Sequence, residues 1–117
     1  MKNTNYLFLA LLGTTIMTGC ASKAGLYQWG SYEEQVYAMY SDTGKVPIEE
    51  QVINLEKDYQ VARSTNQPVP PGYHAHLGYL YFQLGKTDQA LQSFVTEKTL
   101  FPESTVYMNR LIKRIKS

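Results

Sequence analysis

Apolar side chains after residue 30 recur at helical spacing, and no stretch holds the period of two that a half-buried strand needs. Tyr32, Val36, Met39 and Tyr40 fall on one face of a first helix that starts at Ser31 as N-cap, with Glu33 and Glu34 in its first turn. Residues 41–44 close it at Gly44. Pro47 suits the first position of a second helix, along which Ile48, Val52, Leu55, Tyr59 and Ala62 form one stripe. Pro68, Pro70 and Pro71 exclude a helix interior and mark the clearest internal boundary. A third helix over residues 72–84 stops at Gly85, and a fourth runs from Thr87 or Asp88 to Leu100 before Pro102. A last helix follows Ser104 as N-cap, with Met108, Leu111, Ile112 and Ile115 as its stripe. The pattern predicts an all-α fold.

The first twenty residues are built differently. Lys2 precedes an apolar stretch from Tyr6 to Leu12 that continues, diluted by Gly13, Thr14 and Thr15, to Met17. It falls short of the ~20 apolar residues of a spanning helix and has the length and flanks of a secretory signal peptide. Its ending, Met17-Thr18-Gly19-Cys20, resembles the lipobox of bacterial lipoproteins, with Met17 where leucine is commoner. That resemblance implies cleavage before Cys20 and acylation of it; the other reading is an ordinary leader followed by a buried free thiol. Each buried methylene adds ~0.8 kcal/mol of membrane affinity, so two or three acyl chains anchor a protein durably. Ala21 and Ser22 stand where an aspartate would retain such a lipoprotein in the inner membrane, which implies the periplasmic face of the outer membrane. The predicted organisation is a signal peptide over residues 1–19, an acylated cysteine and tether over 20–30, and a helical domain over 31–117.

The chain of 117 residues allows one small domain, and 44% hydrophobic against 18% charged residues gives it the means to build a core. A formal net charge of +1 leaves no basic excess for a nucleic-acid partner. One cysteine excludes an internal disulfide framework and a cysteine-based zinc site. Without residues 1–19 the chain has ten basic and ten acidic groups, unevenly placed. From Tyr27 to Tyr59 seven acids face Lys45 and Lys57, whereas the last helix carries Arg110, Lys113, Arg114 and Lys116 and no acid. Those bases complement the helix dipole or mark a docking face, with Arg110, Lys113 and Arg114 as candidate interface residues. Trp29 has two readings as well, a plug beneath the first helix or an anchor at an interface near the membrane.

Residues 71–104 resemble a tetratricopeptide repeat of 34 residues, carrying Leu77-Gly78, Tyr81, Gly85, Ala90, Phe94 and Pro102 at its spacing. The resemblance implies that Gly78 and Ala90 sit where two antiparallel helices approach closely and that Tyr81 and Phe94 fill the space around them. Glu97 departs from the usual alanine, which implies looser packing against a following element. Residues 31–67 look like a degenerate copy, so the expected architecture is two tetratricopeptide-like hairpins, the first degenerate, with a C-terminal capping helix. Two units are few for a solenoid, and such a domain is expected to be moderately stable alone. The segment Leu26-Tyr27-Gln28-Trp29-Gly30-Ser31-Tyr32-Glu33, followed by Tyr37 and Tyr40, adds a wider resemblance. With the lipobox and the repeat it is similar to a family of small bacterial lipoproteins described only as a domain of unknown function. Members of that family are typically encoded beside a lipoprotein similar to the curli secretion channel and another small lipoprotein. The neighbourhood implies an envelope assembly, with other envelope lipoproteins or peptides as partners.

Reactive chemistry is sparse. His74 and His76, two apart, lie ~200° from each other on a helix and share no ligand face, so no metal site is expected. No Ser/His/Asp order, HExxH, phosphate loop or CxxC occurs, and the carboxylates fall on faces read as solvated. The expectation is a non-enzyme without a cofactor. On the third helix Leu77, Tyr81 and Leu84 belong to the hairpin core, while Ala75, Tyr79 and Phe82 form another stripe. The repeat implies that this stripe, with Gln83, lines a concave groove for an extended peptide or partner helix; the alternative is burial against the preceding hairpin. The function expected is a non-catalytic, protein-binding adaptor anchored in the outer membrane within an envelope secretion or assembly complex. A self-associating envelope scaffold is the second reading.

Overall fold

The computed structural model describes residues 25–41 and 44–117; the leader, Cys20 and part of the turn predicted at 41–44 lie outside the described residues. Five α-helices follow in order: α1 (Tyr32–Ser41), α2 (Ile48–Ser64), α3 (Tyr73–Gln83), α4 (Thr87–Leu100) and, after a 3-10 turn at Pro102–Ser104, α5 (Thr105–Lys116). The described residues contain no strand. The fold is all-helical, as the periodicity predicts.

Two helix ends are made by the same device. At the end of α3, Gly85 takes a φ of 71°; its N–H donates to the Phe82 carbonyl (3.0 Å) and the Lys86 N–H to that of Tyr81 (2.9 Å). This pair of bonds satisfies carbonyls that a helix C-terminus otherwise leaves orphaned. The Lys86 ammonium lies 5.9 Å over the Tyr81 ring, closing the turn from outside. At the end of α2, Asn66 (φ 54°) plays the part of Gly85, and the Gln67 N–H donates to Ala62 (3.0 Å).

α3 and α4 meet without a spacer. A Cβ added to Gly78 would lie 2.7 Å from Cε1 of Phe94, so only glycine lets the ring into that place. Phe94 and Ala90 of α4 are buried, and the core continues through Leu55 of α2, Tyr73 and Leu80 of α3, and Met108 of α5. Burying a side chain such as Phe94 stabilises by about 1.5–3 kcal/mol.

The structure departs from the sequence reading in several places. The face of α1 carrying Val36, Met39 and Tyr40 is not its buried face; Gln35 and Ala38 are the buried residues, and Tyr40 is exposed. Ser104 is not a side-chain N-cap, because Pro102 starts a 3-10 turn that runs straight into α5 and the Ser104 hydroxyl donates back to the Phe101 carbonyl (2.8 Å). Residues 25–30, read as part of the tether, are fastened to the connection between α2 and α3. The Gln28 N–H donates to the Pro68 carbonyl (2.8 Å) and Nε2 of Gln67 to that of Gly25 (3.3 Å).

Candidate functional site

The chain's carboxylates do not all sit on solvated faces. Glu97 of α4 is only 2% exposed. One of its oxygens accepts the N–H of Gly72 (2.6 Å), and the other those of His74 (3.1 Å) and Ala75 (3.3 Å). These amides open α3, where no intrahelical acceptor exists and the dipole is positive. Gly72 has no side chain to cap with, so the cap comes from the neighbouring helix. Glu97 in place of alanine therefore ties α4 to the start of α3 instead of loosening the stack. Nothing in its local sequence announces this, because the partner amides lie more than twenty residues away.

Asp58 of α2 does a similar job for α1. Its Oδ2 accepts the N–H of Ser31 (2.7 Å) and its hydroxyl (2.6 Å). Ser31, expected as an N-cap acceptor, is thus a donor. Gly30 is required beside it: its φ is 51°, and a Cβ there would fall 2.4 Å from the Asp58 carboxyl carbon.

A chain of rings joins these anchors. Trp29 stacks on Tyr32 (6.2 Å) and meets Tyr27 edge-on (6.4 Å). Tyr32 leans on Tyr73 (5.7 Å), and Tyr59 stacks on the other side of it (6.3 Å). Such pairs add about 0.5–1.5 kcal/mol each beyond area burial. The buried Tyr73 hydroxyl donates to the Leu55 carbonyl, and that of Tyr81 to the Glu56 carboxylate. Burial pushes the Tyr32, Tyr73 and Tyr81 hydroxyls up, so all three stay protonated at neutral pH. His74 and His76 are buried, with no hydrogen-bond partner for either Nε2 among the described residues. Burial lowers the pKa of both, that of His76 to about 4, and keeps the rings neutral. Among the described residues no group of three histidine, cysteine or acidic side chains is placed to hold a metal ion.

A cleft of about 560 Å³ opens between α1, α3 and α5. Its walls include Val36 and Tyr40 of α1, Ala75 and Tyr79 of α3, and Tyr107 and Arg114 of α5, and among the described residues Arg114 is the one charged side chain lining it. The α1 face that carries the stripe read from the periodicity is one wall of this cleft. Of the predicted groove residues the structure brings Ala75 and Tyr79 together; Phe82 and Gln83 are exposed outside the lining. Of the predicted interface residues Arg114 joins the cleft, whereas Arg110 and Lys113 are exposed beyond it. Tyr107 was missed. Its i, i+4, i+7 relation to Leu111 and Arg114 was the available signal. Trp29, 44% exposed, is neither plug nor free side chain; it edges a shallower depression of about 430 Å³ with Tyr37 and Tyr40.

A family model described as Domain of unknown function (DUF4810) matches residues 26–111. The chain belongs to that family. No curated protein and no solved structure matches it. The matched span of this DUF4810 member begins at Leu26, so it takes in Gln28, which fastens the leading segment, and the aromatic chain, and it ends in α5 at the cleft wall. No helix among its described residues is long and apolar enough to cross a membrane.

Proposed function

We propose that this DUF4810 member is a lipoprotein held at the periplasmic face of the outer membrane by an acylated Cys20, and that it acts there as a non-catalytic adaptor in an envelope secretion or assembly complex. The single observation that carries the binding role is the cleft between α1, α3 and α5. It is walled by tyrosines on three helices, Tyr40, Tyr79 and Tyr107, all exposed, and rimmed by one guanidinium. Exposed aromatics gathered around a concavity are the residue types that anchor partner segments. The α3–α4 pair supports the tetratricopeptide-like reading, since Gly78 admits the Phe94 ring at the helix contact, as the repeat requires. The lipobox ending at Cys20 supports the anchor.

Recovery of partners on the full-length protein from detergent-solubilised envelopes tests the cleft. Tyr79→Ala/Tyr107→Ala is expected to lose partners that the wild type and Gln83→Ala both retain. Equal recovery by all three removes the binding role of the cleft. The scaffold reading rests on α5, whose four bases are exposed and share the helix with no acid. It requires salt-sensitive oligomers, and a monomer at low salt and high concentration in sedimentation velocity removes it.

A further inference from the structure

The depression beside Trp29 starts nine residues along the chain from Cys20. Trp29, Val36, Tyr37 and Tyr40 surround it, with Trp29 44%, Tyr37 64% and Tyr40 76% exposed. Leu26, just ahead of it, is exposed too. This apolar surface is not a core awaiting closure by α1, since α1 buries Gln35 and Ala38 elsewhere. Its position relative to the anchor is fixed by chain length. Gly25 is tied to Gln67, and Gln28 to Pro68, while only residues 21–24 separate Gly25 from Cys20. Five residue steps span at most about 18 Å when fully extended. Acyl chains on Cys20 hold that residue at headgroup level, so Gly25, four residues ahead of Trp29, lies within that distance of the lipid.

We propose that the Trp29–Tyr37–Tyr40 patch seats on the phospholipid surface and docks the helical unit onto the membrane instead of leaving it to swing on its tether. The inference rests on the acylation of Cys20. Tryptophan and tyrosine are suited to this seat because an apolar ring and a hydrogen-bonding edge match the boundary between acyl chains and headgroups. Glu33, the one charged side chain lining the depression among the described residues, limits its depth, because a carboxylate stays hydrated at the interface and is costly in hydrocarbon. The seat therefore lies at headgroup level. Docked in this way, α1 is held by lipid on the Trp29 side while its Tyr40 still borders the α1–α3–α5 cleft, which would open beside the membrane surface.

The chain has a single tryptophan, so its fluorescence reports the proposed seat directly. The test uses the full-length protein reconstituted in phosphatidylethanolamine/phosphatidylglycerol vesicles, with the mass of the N-terminal peptide read from the same preparation. The expected result is acylated Cys20, Trp29 emission shifted to the blue, and quenching strongest by lipids brominated nearest the headgroup. Tyr37→Ser/Tyr40→Ser, acylated and equally helical by circular dichroism, is expected to lose most of that quenching. An acylated protein whose Trp29 emits as in water, or shifts without lipid quenching, overturns the seat and leaves the anchor standing. An unmodified Cys20 overturns the anchor, and the proposed seat falls with it.

Discussion

α3 and α1 are each held at the N-terminus by a carboxylate on the helix that follows, Glu97 for α3 and Asp58 for α1, yet the two sites have little else in common. Glu97 is buried and serves three backbone amides; Asp58 is half-buried and serves one amide and one hydroxyl. α3 buries Tyr73, His74, His76, Leu77, Gly78, Leu80 and Tyr81, whereas α1 buries Gln35 and Ala38. The tyrosines of α3 point mostly into the core and those of α1 mostly out of it. The contrast separates two tasks within one small domain. The α3–α4 pair supplies cohesion, and α1 with the segment ahead of it supplies accessible aromatic surface.

Removing the two carboxylates is the largest test of this division. Glu97→Ala leaves three donors at the start of α3 without an acceptor, at a cost of about 3–4 kcal/mol. Asp58→Ala is expected to cost about 1 kcal/mol, because water reaches Ser31 once the carboxylate has gone. Urea unfolding followed by circular dichroism measures both, and equal losses would break the comparison. Glu97→Gln should fall between them, since its carbonyl oxygen keeps one acceptor aimed at α3.

Protonation sharpens the same contrast at intermediate size. The unfolded His76 titrates near 6.5, and burial brings the folded group down to about 4. Above the higher value both states are neutral and this group has no effect. As pH falls from 6.5 towards 4, the unfolded chain takes up a proton that the fold refuses, so stability declines, by about 3 kcal/mol at most. Below 4 the group's contribution to the slope ends. His74, lowered for the same reason, acts in the same direction. Urea midpoints at pH 7, 5.5 and 4.5 are therefore expected to drop less steeply in His76→Phe, which keeps a ring of similar size where Nε2 has no partner. Parallel slopes for variant and wild type would mean that the imidazole is hydrated in the fold.

The parts of the fold that were legible in the sequence are those governed by local rules. Pro47, Gly85 and Pro102 bound helices where their backbone preferences require, and the stripe Met108, Leu111, Ile112, Ile115 faces inward as its period predicts. Gly78 opposite Phe94 was readable because a repeat pattern relates positions sixteen apart. What escaped depends on partners distant in the chain. Glu97 and Asp58 look like ordinary surface acids until Gly72 and Ser31 are brought to them. The α1 stripe was legible as a stripe, but periodicity cannot tell a core face from a cleft wall, and α5 forms the opposite wall through Tyr107 and Arg114. Within the candidate site Ala75 and Tyr79 were identified because they share a helix face, whereas Phe82 and Gln83 lie one turn too far along α3 to reach the cleft.

The smallest effect probes α1 alone. Tyr37→Ser/Tyr40→Ser removes two large side chains that are mostly exposed, and serine matches tyrosine closely in helix propensity. The expected change in unfolding free energy is within about 0.5 kcal/mol, read from the same urea transitions. A loss above about 1 kcal/mol would make these tyrosines part of what holds the domain together, and the division of tasks would fail. A null effect on stability has a positive meaning here. Two aromatic rings that cost the fold nothing to lose are, on a helix beside a fastened segment, free to meet a surface outside the fold.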